Sequence, residues 1–150
     1  MNKRTKSAVV VFIGLTLAFA AVAIFDYTDN YVGDRFRRAV ESHDTDGGET
    51  FSLDAFMEYY DWDSVCAVPT GSGETFRTRT GAAYRHKAVS GQVWSLVFVK
   101  EDYVVAEIPI ERSFLAYPNN LDTHCFDRWR AVFRILRDAD GGLRLDYAGN

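Results

Sequence analysis

Residues 93–110 read VWSLVFVKEDYVVAEIPI, two runs of β-prone residues separated by the short charged segment 100–102. The first run carries two alternating apolar sets, one for each face of a strand: Trp94, Leu96 and Phe98, and Val93, Val97 and Val99. A strand that is apolar on both faces should lie inside a sheet. The stretch therefore predicts a central β-hairpin, with Asp102 taking a positive φ in the turn.

The length and composition of the chain are those of one globular domain. Its 150 residues are 47% hydrophobic and 15% aromatic, which is enough to bury a core without metals or several disulfides. The formal net charge of −4 argues against nucleic acid as the main partner.

The N-terminal segment predicts export from the cytoplasm. A basic leader, residues 1–6, precedes residues 7–25, which contain no charge and approach the roughly 20 residues that a membrane-spanning helix needs. Residues 18–20 and 21–23 each have the small-x-small pattern read by signal peptidase. Two interpretations stay open: an uncleaved inner-membrane anchor with domain 26–150 in the periplasm, or a cleaved signal peptide and a secreted domain.

The two cysteines agree with an exported domain. Cys66 and Cys125 lie far apart in sequence, whereas a catalytic thiol pair is usually close, as in Cys-x-x-Cys. We therefore predict one structural disulfide between them.

The remaining elements predict an α+β domain. Apolar residues recur at three- and four-residue steps in residues 26–42 and 52–62, which predicts two helices. Residues 62–68 read as a strand that precedes the central hairpin. With a second hairpin near the C-terminus, the order indicates two helices packed on one antiparallel sheet of about five strands.

The second hairpin begins in residues 128–137, where apolar and charged residues alternate. Four residues are predicted to face the core: Trp129, Ala131, Phe133 and Ile135. The alternation resumes in residues 143–147, after a three-residue loop that places Gly141 in the left-handed region. That loop predicts two facing pairs: Ile135 with Leu145, and Arg134 with Asp146.

Two segments together resemble small membrane-anchored bacterial proteins of unknown function. They are the strand entry Trp62-Asp63-x-Val65 and the hairpin segment Leu96-Val97-Phe98-Val99-Lys100-x-Asp102-x-Val104-Val105. The resemblance covers about half of the exported domain and implies a membrane-anchored protein. Such proteins often carry an aromatic-rich Pro-Tyr segment after the first strand, where this chain has Pro69-Thr70-Gly71-Ser72-Gly73. The resemblance therefore assigns no functional residue.

Charge is unevenly distributed along the predicted domain. Residues 26–63 contain eleven acidic and three basic residues, whereas residues 64–100 contain one acidic and five basic residues. Four of these basic residues form a candidate binding surface for an acidic partner or for anionic headgroups: Arg77, Arg79, Arg85 and Lys87. The alternative is a solvated loop that balances the acidic helices.

The sequence offers few residues for catalysis or for metal binding. Asp44 opens an Asp-x-Asp-Gly segment, but the twelfth position is Ala55, where a calcium loop needs Glu. His124 beside Cys125, with Asp122 or Asp127 as its partner, is the best catalytic candidate. We expect no metal or small-molecule cofactor.

The functional prediction is an envelope-tethered, non-enzymatic protein-binding module of inhibitor, immunity or accessory type. The alternative is a small periplasmic hydrolase that uses His124 with Asp122 or Asp127.

Overall fold

The computed structural model describes residues 3–45, 48–118 and 124–149, and for residues 3–10 and 19–29 it describes the backbone only. The described residues form one α-helix, seven strands in two antiparallel sheets and two short 3-10 helices. Their bounds are α1 Lys3–Ser42, β1 Thr50–Ser52, β2 Ser64–Pro69, β3 Val93–Lys100, β4 Tyr103–Glu111, β5 Cys125–Asp127, β6 Val132–Arg137 and β7 Leu143–Tyr147, with 3-10 helices at Leu53–Ala55 and Arg128–Arg130. The predicted α+β class is confirmed.

The central hairpin is confirmed. Strand β3 pairs with β4 and β2 in a four-stranded sheet ordered β4-β3-β2-β5. Trp94, Leu96 and Phe98 are buried in the main core, while Val97 and Val99 are buried on the opposite face. Both faces of this sheet are therefore covered, as an apolar strand requires.

The turn of this hairpin differs from the prediction in one residue. Glu101, and not Asp102, has the positive φ, at 54°. The Asp63 carboxylate accepts a hydrogen bond from the Glu101 backbone N–H at 3.0 Å. We attribute the position of the strained residue to this bond, because it offsets the cost of a left-handed conformation in a residue with a Cβ.

The predicted single sheet is wrong, because the C-terminal hairpin belongs to a second sheet ordered β1-β6-β7. The Arg128–Arg130 turn redirects the chain after β5, so β6 pairs with β1. The turn also breaks the alternation, and Trp129 is 78% exposed instead of buried. The predicted pairs Ile135↔Leu145 and Arg134↔Asp146 and the positive φ of Gly141 are confirmed.

The predicted helix at residues 52–62 is also wrong, since only Leu53–Ala55 forms a 3-10 turn. One carbonyl group that a longer helix would use is taken by a side chain. The Trp62 indole donates to the Met57 carbonyl at 3.2 Å, where a helix through Trp62 would place the Asp61 backbone N–H. A competing side-chain hydrogen bond therefore outweighs the local helical pattern.

Helix α1 packs on the domain through its C-terminal third, where Val32, Phe36 and Val40 are buried. The Phe36 ring makes edge contacts with Phe51 and Phe56 at 6.0 and 5.9 Å. The predicted helix at residues 26–42 is therefore part of one longer helix. The predicted anchor, residues 7–25, lies largely outside the residues whose side chains are described.

In the described part of the chain, no helix is both long enough and apolar enough to cross a membrane.

The predicted disulfide between Cys66 and Cys125 is confirmed. The two residues face each other on β2 and β5, next to the backbone hydrogen bond from Ala67 to His124. They therefore form a non-hydrogen-bonded pair, the position at which antiparallel strands bring side chains closest. Their Cα atoms are 4.0 Å apart.

Candidate functional site

Residues 76–87, which we call the basic hairpin, form a tight excursion between β2 and β3. Arg77 and Ala83 form an isolated antiparallel bridge, flanked by backbone hydrogen bonds that join Thr78 to Ala82 and Tyr84 to Phe76, each 2.8 Å long. Gly81 closes the turn with a φ of 81°, which a residue with a Cβ rarely adopts. The connection between β2 and β3 thus contains an ordered hairpin.

The inner side of the basic hairpin is aromatic. The His86 ring lies 5.5 Å from the Phe76 ring and 5.7 Å from the Tyr84 ring, both in edge-to-face geometry. Phe76 also packs against the apolar cluster around Val97, on the sheet face opposite the main core. These rings cover the second face of the four-stranded sheet.

A buried carboxylate holds the basic hairpin on this face. Glu107 of β4 is fully buried. It accepts hydrogen bonds from the Ser95 hydroxyl at 2.6 Å, the Tyr84 hydroxyl at 2.9 Å and the Lys87 backbone N–H at 3.0 Å. All three donors are uncharged groups, and two of them belong to the hairpin. Glu107 therefore ties the hairpin to β3 and β4.

His86 lies beside this cluster without a hydrogen bond of its own. Its Nδ1 atom is 3.7 Å from Oε1 of Glu107, beyond hydrogen-bonding distance. Both ring nitrogens are buried and have no hydrogen-bond partner among the described residues. Its observed contacts with the hairpin are therefore ring packing.

The outer side of the basic hairpin carries the four predicted binding residues, and all four are exposed: Arg77, Arg79, Arg85 and Lys87. The Arg77 guanidinium is 3.7 Å from the Asp102 carboxylate, and both side chains are more than 60% exposed. The Arg79 guanidinium lies 5.6 Å from the centre of the Tyr103 ring. The structure thus brings the predicted residues together on one small, solvated element.

The β3–β4 turn, which lies next to the basic hairpin, is stabilised by a hydrogen bond and two ion pairs. The Asp63 pKa is lowered, first by the hydrogen bond from the Glu101 backbone N–H and then by Lys100. The Lys100 pKa is raised by its hydrogen bonds to Asp63 and Asp61, with Nζ–O distances of 2.9 and 3.0 Å. This turn supports Tyr103, on which Arg79 lies.

The lowered pKa of Asp63 predicts acid sensitivity of this turn. A carboxylate whose pKa is depressed in the folded state stabilises the fold above its unfolded pKa of about 4, and this stabilisation is lost as the pH falls through the folded value. We expect the unfolding midpoint in urea to fall more steeply in wild type than in Asp63→Asn as the pH is lowered below about 4. Parallel pH profiles for the two proteins would contradict this assignment.

The predicted catalytic residue His124 is bonded to a tyrosine. Its Nδ1 atom lies 2.9 Å from the Tyr117 hydroxyl, and burial raises the Tyr117 pKa. Asp122 lies outside the described residues. Asp127 is the last residue of β5, and His124 immediately precedes this strand.

One group of three potential metal ligands occurs in the part of the chain that the structure describes: Cys66, Glu74 and Cys125. Both sulfur atoms belong to the disulfide. Metal ions are bound by thiolates, which a disulfide does not supply. The Nε2 atom of His43 lies 3.2 Å from the carbonyl oxygen of Glu49.

Three residues of the site were not predicted from the sequence: Tyr84, Ser95 and Glu107. A signal for Glu107 was present, because it faces Val97 across the hairpin, and β3 is apolar on that side as well. A signal for the basic hairpin was also present, since residues 84–87 alternate aromatic and basic with a period of two. The contact between the two elements had no sequence signal.

No protein-family model, curated protein or solved structure matches this chain. The functional interpretation therefore rests on the geometry of the basic hairpin and of its supports.

Proposed function

We propose that this protein is an envelope-tethered, non-enzymatic binding module that recognises an acidic protein partner through the basic hairpin. An inhibitor, an immunity protein and an accessory subunit of an envelope complex all belong to this class. One observation carries the proposal: the exposed basic hairpin is fixed to the sheet by hydrogen bonds to the buried carboxylate of Glu107.

The fixed position of the hairpin favours binding. Ordering a mobile loop on association costs about 0.5–1.5 kcal/mol for each immobilised side chain, which lowers affinity. In this protein Tyr84 and the Lys87 backbone are already held by Glu107. The charged side chains are therefore displayed from a backbone whose ordering cost has been met during folding.

Membrane attachment is the second part of the proposal. The described side chains of residues 11–18 are all exposed and uncharged, and five of them are large and apolar: Val11, Phe12, Ile13, Leu15 and Leu17. A helix that is apolar on all sides is stable when it is buried, in a core or in a lipid bilayer. At 1.5 Å per residue, residues 7–25 extend about 28 Å, close to the hydrocarbon thickness of about 30 Å. The disulfide is consistent with a periplasmic domain.

The contacts of His124 weigh against the hydrolase alternative. A catalytic histidine is typically oriented by a carboxylate, which stabilises the imidazolium that forms during proton transfer. Among the described residues, His124 is bonded to Tyr117, a neutral phenol whose pKa is raised. This arrangement favours a structural role for the pair at the edge of the sheet.

The proposal predicts loss of a partner when the hairpin charges are removed. Membranes that contain the full chain are treated with a cross-linker, and the chain is purified from wild type and from a variant with all four hairpin charges changed to Ser. A control variant carries four Arg→Ser changes at exposed positions on other elements: Arg38, Arg112, Arg130 and Arg137. We expect an acidic protein to be captured with wild type and with the control, and at least about fourfold less with the hairpin variant, since four exposed ion pairs of 0.2–1 kcal/mol each are removed.

Two results would contradict the proposal. Equal capture by both variants would place the binding face elsewhere on the domain. A turnover that His124→Ala abolishes, with no partner affected by the hairpin changes, would establish the hydrolase instead.

A further inference from the structure

Exposure alternates along residues 84–87 of the basic hairpin, as it does in an extended chain. Arg85 and Lys87 are both exposed, and the residues beside them, Tyr84 and His86, are partly buried under the hairpin. In extended backbone, residues two positions apart are separated by about 6.6–6.8 Å. Arg77 lies across the hairpin, because it pairs with Ala83, two positions before Arg85. A diagonal pair of this kind is separated by about 7–8 Å.

We infer that these three residues form a linear strip that recognises an extended acidic segment with a carboxylate at every second residue. This inference rests on the proposed function and names the chemistry of the partner. Alternate residues of an extended peptide project to the same side at the same spacing of about 7 Å. Three successive carboxylates of such a peptide would therefore match the guanidinium and ammonium groups of the strip.

One residue of the strip, Arg77, already forms an ion pair with a carboxylate of the domain itself. Asp102 lies 3.7 Å from Arg77, on an exposed turn beside the hairpin. An ion pair between two exposed side chains contributes about 0–1 kcal/mol, equivalent to a factor of about five or less, so a partner carboxylate can replace Asp102 at little cost. Arg77 is therefore accessible to an incoming acidic chain.

The linear arrangement favours a peptide over a lipid surface. A bilayer presents phosphate groups over a plane, and broad basic patches bind it without regard to spacing. The strip is one residue wide along Arg85 and Lys87, and its backbone is fixed at Lys87 by Glu107. A fixed line of charges binds most tightly to a ligand whose own charges have the same spacing. The alternate side chains of an extended peptide can provide that spacing.

Two peptides of identical composition test the inference. One has six Glu-Ser repeats, and the other has three Glu-Glu-Ser-Ser repeats, so both have twelve residues and the same charge. Binding to the full chain in zwitterionic nanodiscs is measured by fluorescence anisotropy at low and at physiological salt. We expect the alternating peptide to bind more tightly, by up to about fivefold, since the spacing gains it one further exposed ion pair.

Variants and a lipid competitor complete the test. Changing Arg77, Arg85 and Lys87 to Ser should weaken binding of the alternating peptide at least about threefold, since three exposed pairs are lost. The same changes at Arg38, Arg130 and Arg137 should leave the preference between peptides unchanged. Equal affinity for the two peptides, no binding at low salt, or tighter binding to anionic vesicles than to the alternating peptide would each overturn the inference. Each of these results leaves the cross-linking experiment to decide the proposed function, because that experiment does not depend on charge spacing.

Discussion

Replacing Glu107 with Ala is expected to lower the free energy of unfolding by about 3–5 kcal/mol, because each buried donor left without an acceptor costs about 1–3 kcal/mol. The change removes the acceptor of the Ser95 hydroxyl, which is fully buried, and of two groups in the basic hairpin, the Tyr84 hydroxyl and the Lys87 N–H. Urea denaturation, followed by tryptophan fluorescence, would measure the loss.

Two further variants test the cause of this loss. Glu107→Gln retains the shape of the side chain and one carbonyl acceptor, so its loss should be smaller than that of Glu107→Ala. Glu111→Ala, at an exposed position on the same strand, should change stability by no more than about 0.5 kcal/mol. If Glu107→Ala proves no more harmful than Glu111→Ala, the carboxylate does not hold the hairpin.

The same variant should release the basic hairpin locally. Amide hydrogen exchange in residues 76–87 reports the local opening of this element, independently of global unfolding. We expect faster exchange in Glu107→Ala at the Tyr84 amide, which is bonded to the Phe76 carbonyl at 2.8 Å, while β2 and β3 keep their protection under native conditions. Unchanged exchange in the hairpin would mean that its aromatic contacts and the backbone hydrogen bond from Val104 to Arg77 are sufficient to hold it.

Replacing both cysteines with Ala is expected to lower the free energy of unfolding by about 4 kcal/mol. The disulfide joins residues 59 positions apart, and in the chain-entropy model a loop of this length accounts for that value. Such a loss is a large fraction of the 5–15 kcal/mol that stabilises a typical domain. Alanine is chosen because Cys66 is buried, and serine would bury a hydroxyl group there.

A reductant provides the matched control for the cysteine variant. Wild type unfolded in the presence of a thiol reductant should approach the stability of the double variant, and the variant itself should not respond to the reductant. A variant as stable as the oxidised wild type would show that the strand pairing of β2 with β5 does not depend on the disulfide.

Much of the local structure was predictable from residues close together in the chain. The alternation in β3, and the turn with Gly141 between β6 and β7, predicted both hairpins and the register of the second. These features depend on a side-chain period of two and on turn chemistry, both of which are local. The disulfide was also predictable, because the chain has two cysteines, far apart in sequence.

Other features depend on partners that are distant in sequence. The helical pattern at residues 52–62 was real, but Arg128, far along the chain, binds the Asp54 carboxylate and the Tyr60 carbonyl of this segment. The alternation in residues 128–137 was also real, but the turn at Arg128–Arg130 exposes Trp129 and sends β6 to another sheet. A local pattern does not show which distant groups compete for the same backbone.

The candidate site shows the same division. The four basic residues and the charge imbalance of their segment were predictable from the sequence alone, because the charge and the usual exposure of a side chain follow from its residue type. Only the tertiary structure placed Glu107 beneath them, because burial of a carboxylate depends on donors from two other segments, Ser95 on β3 and Tyr84 and Lys87 in the hairpin, meeting at one point. Strand periodicity assigns Glu107 to a face of the sheet, and the packing of the hairpin decides that this face is buried.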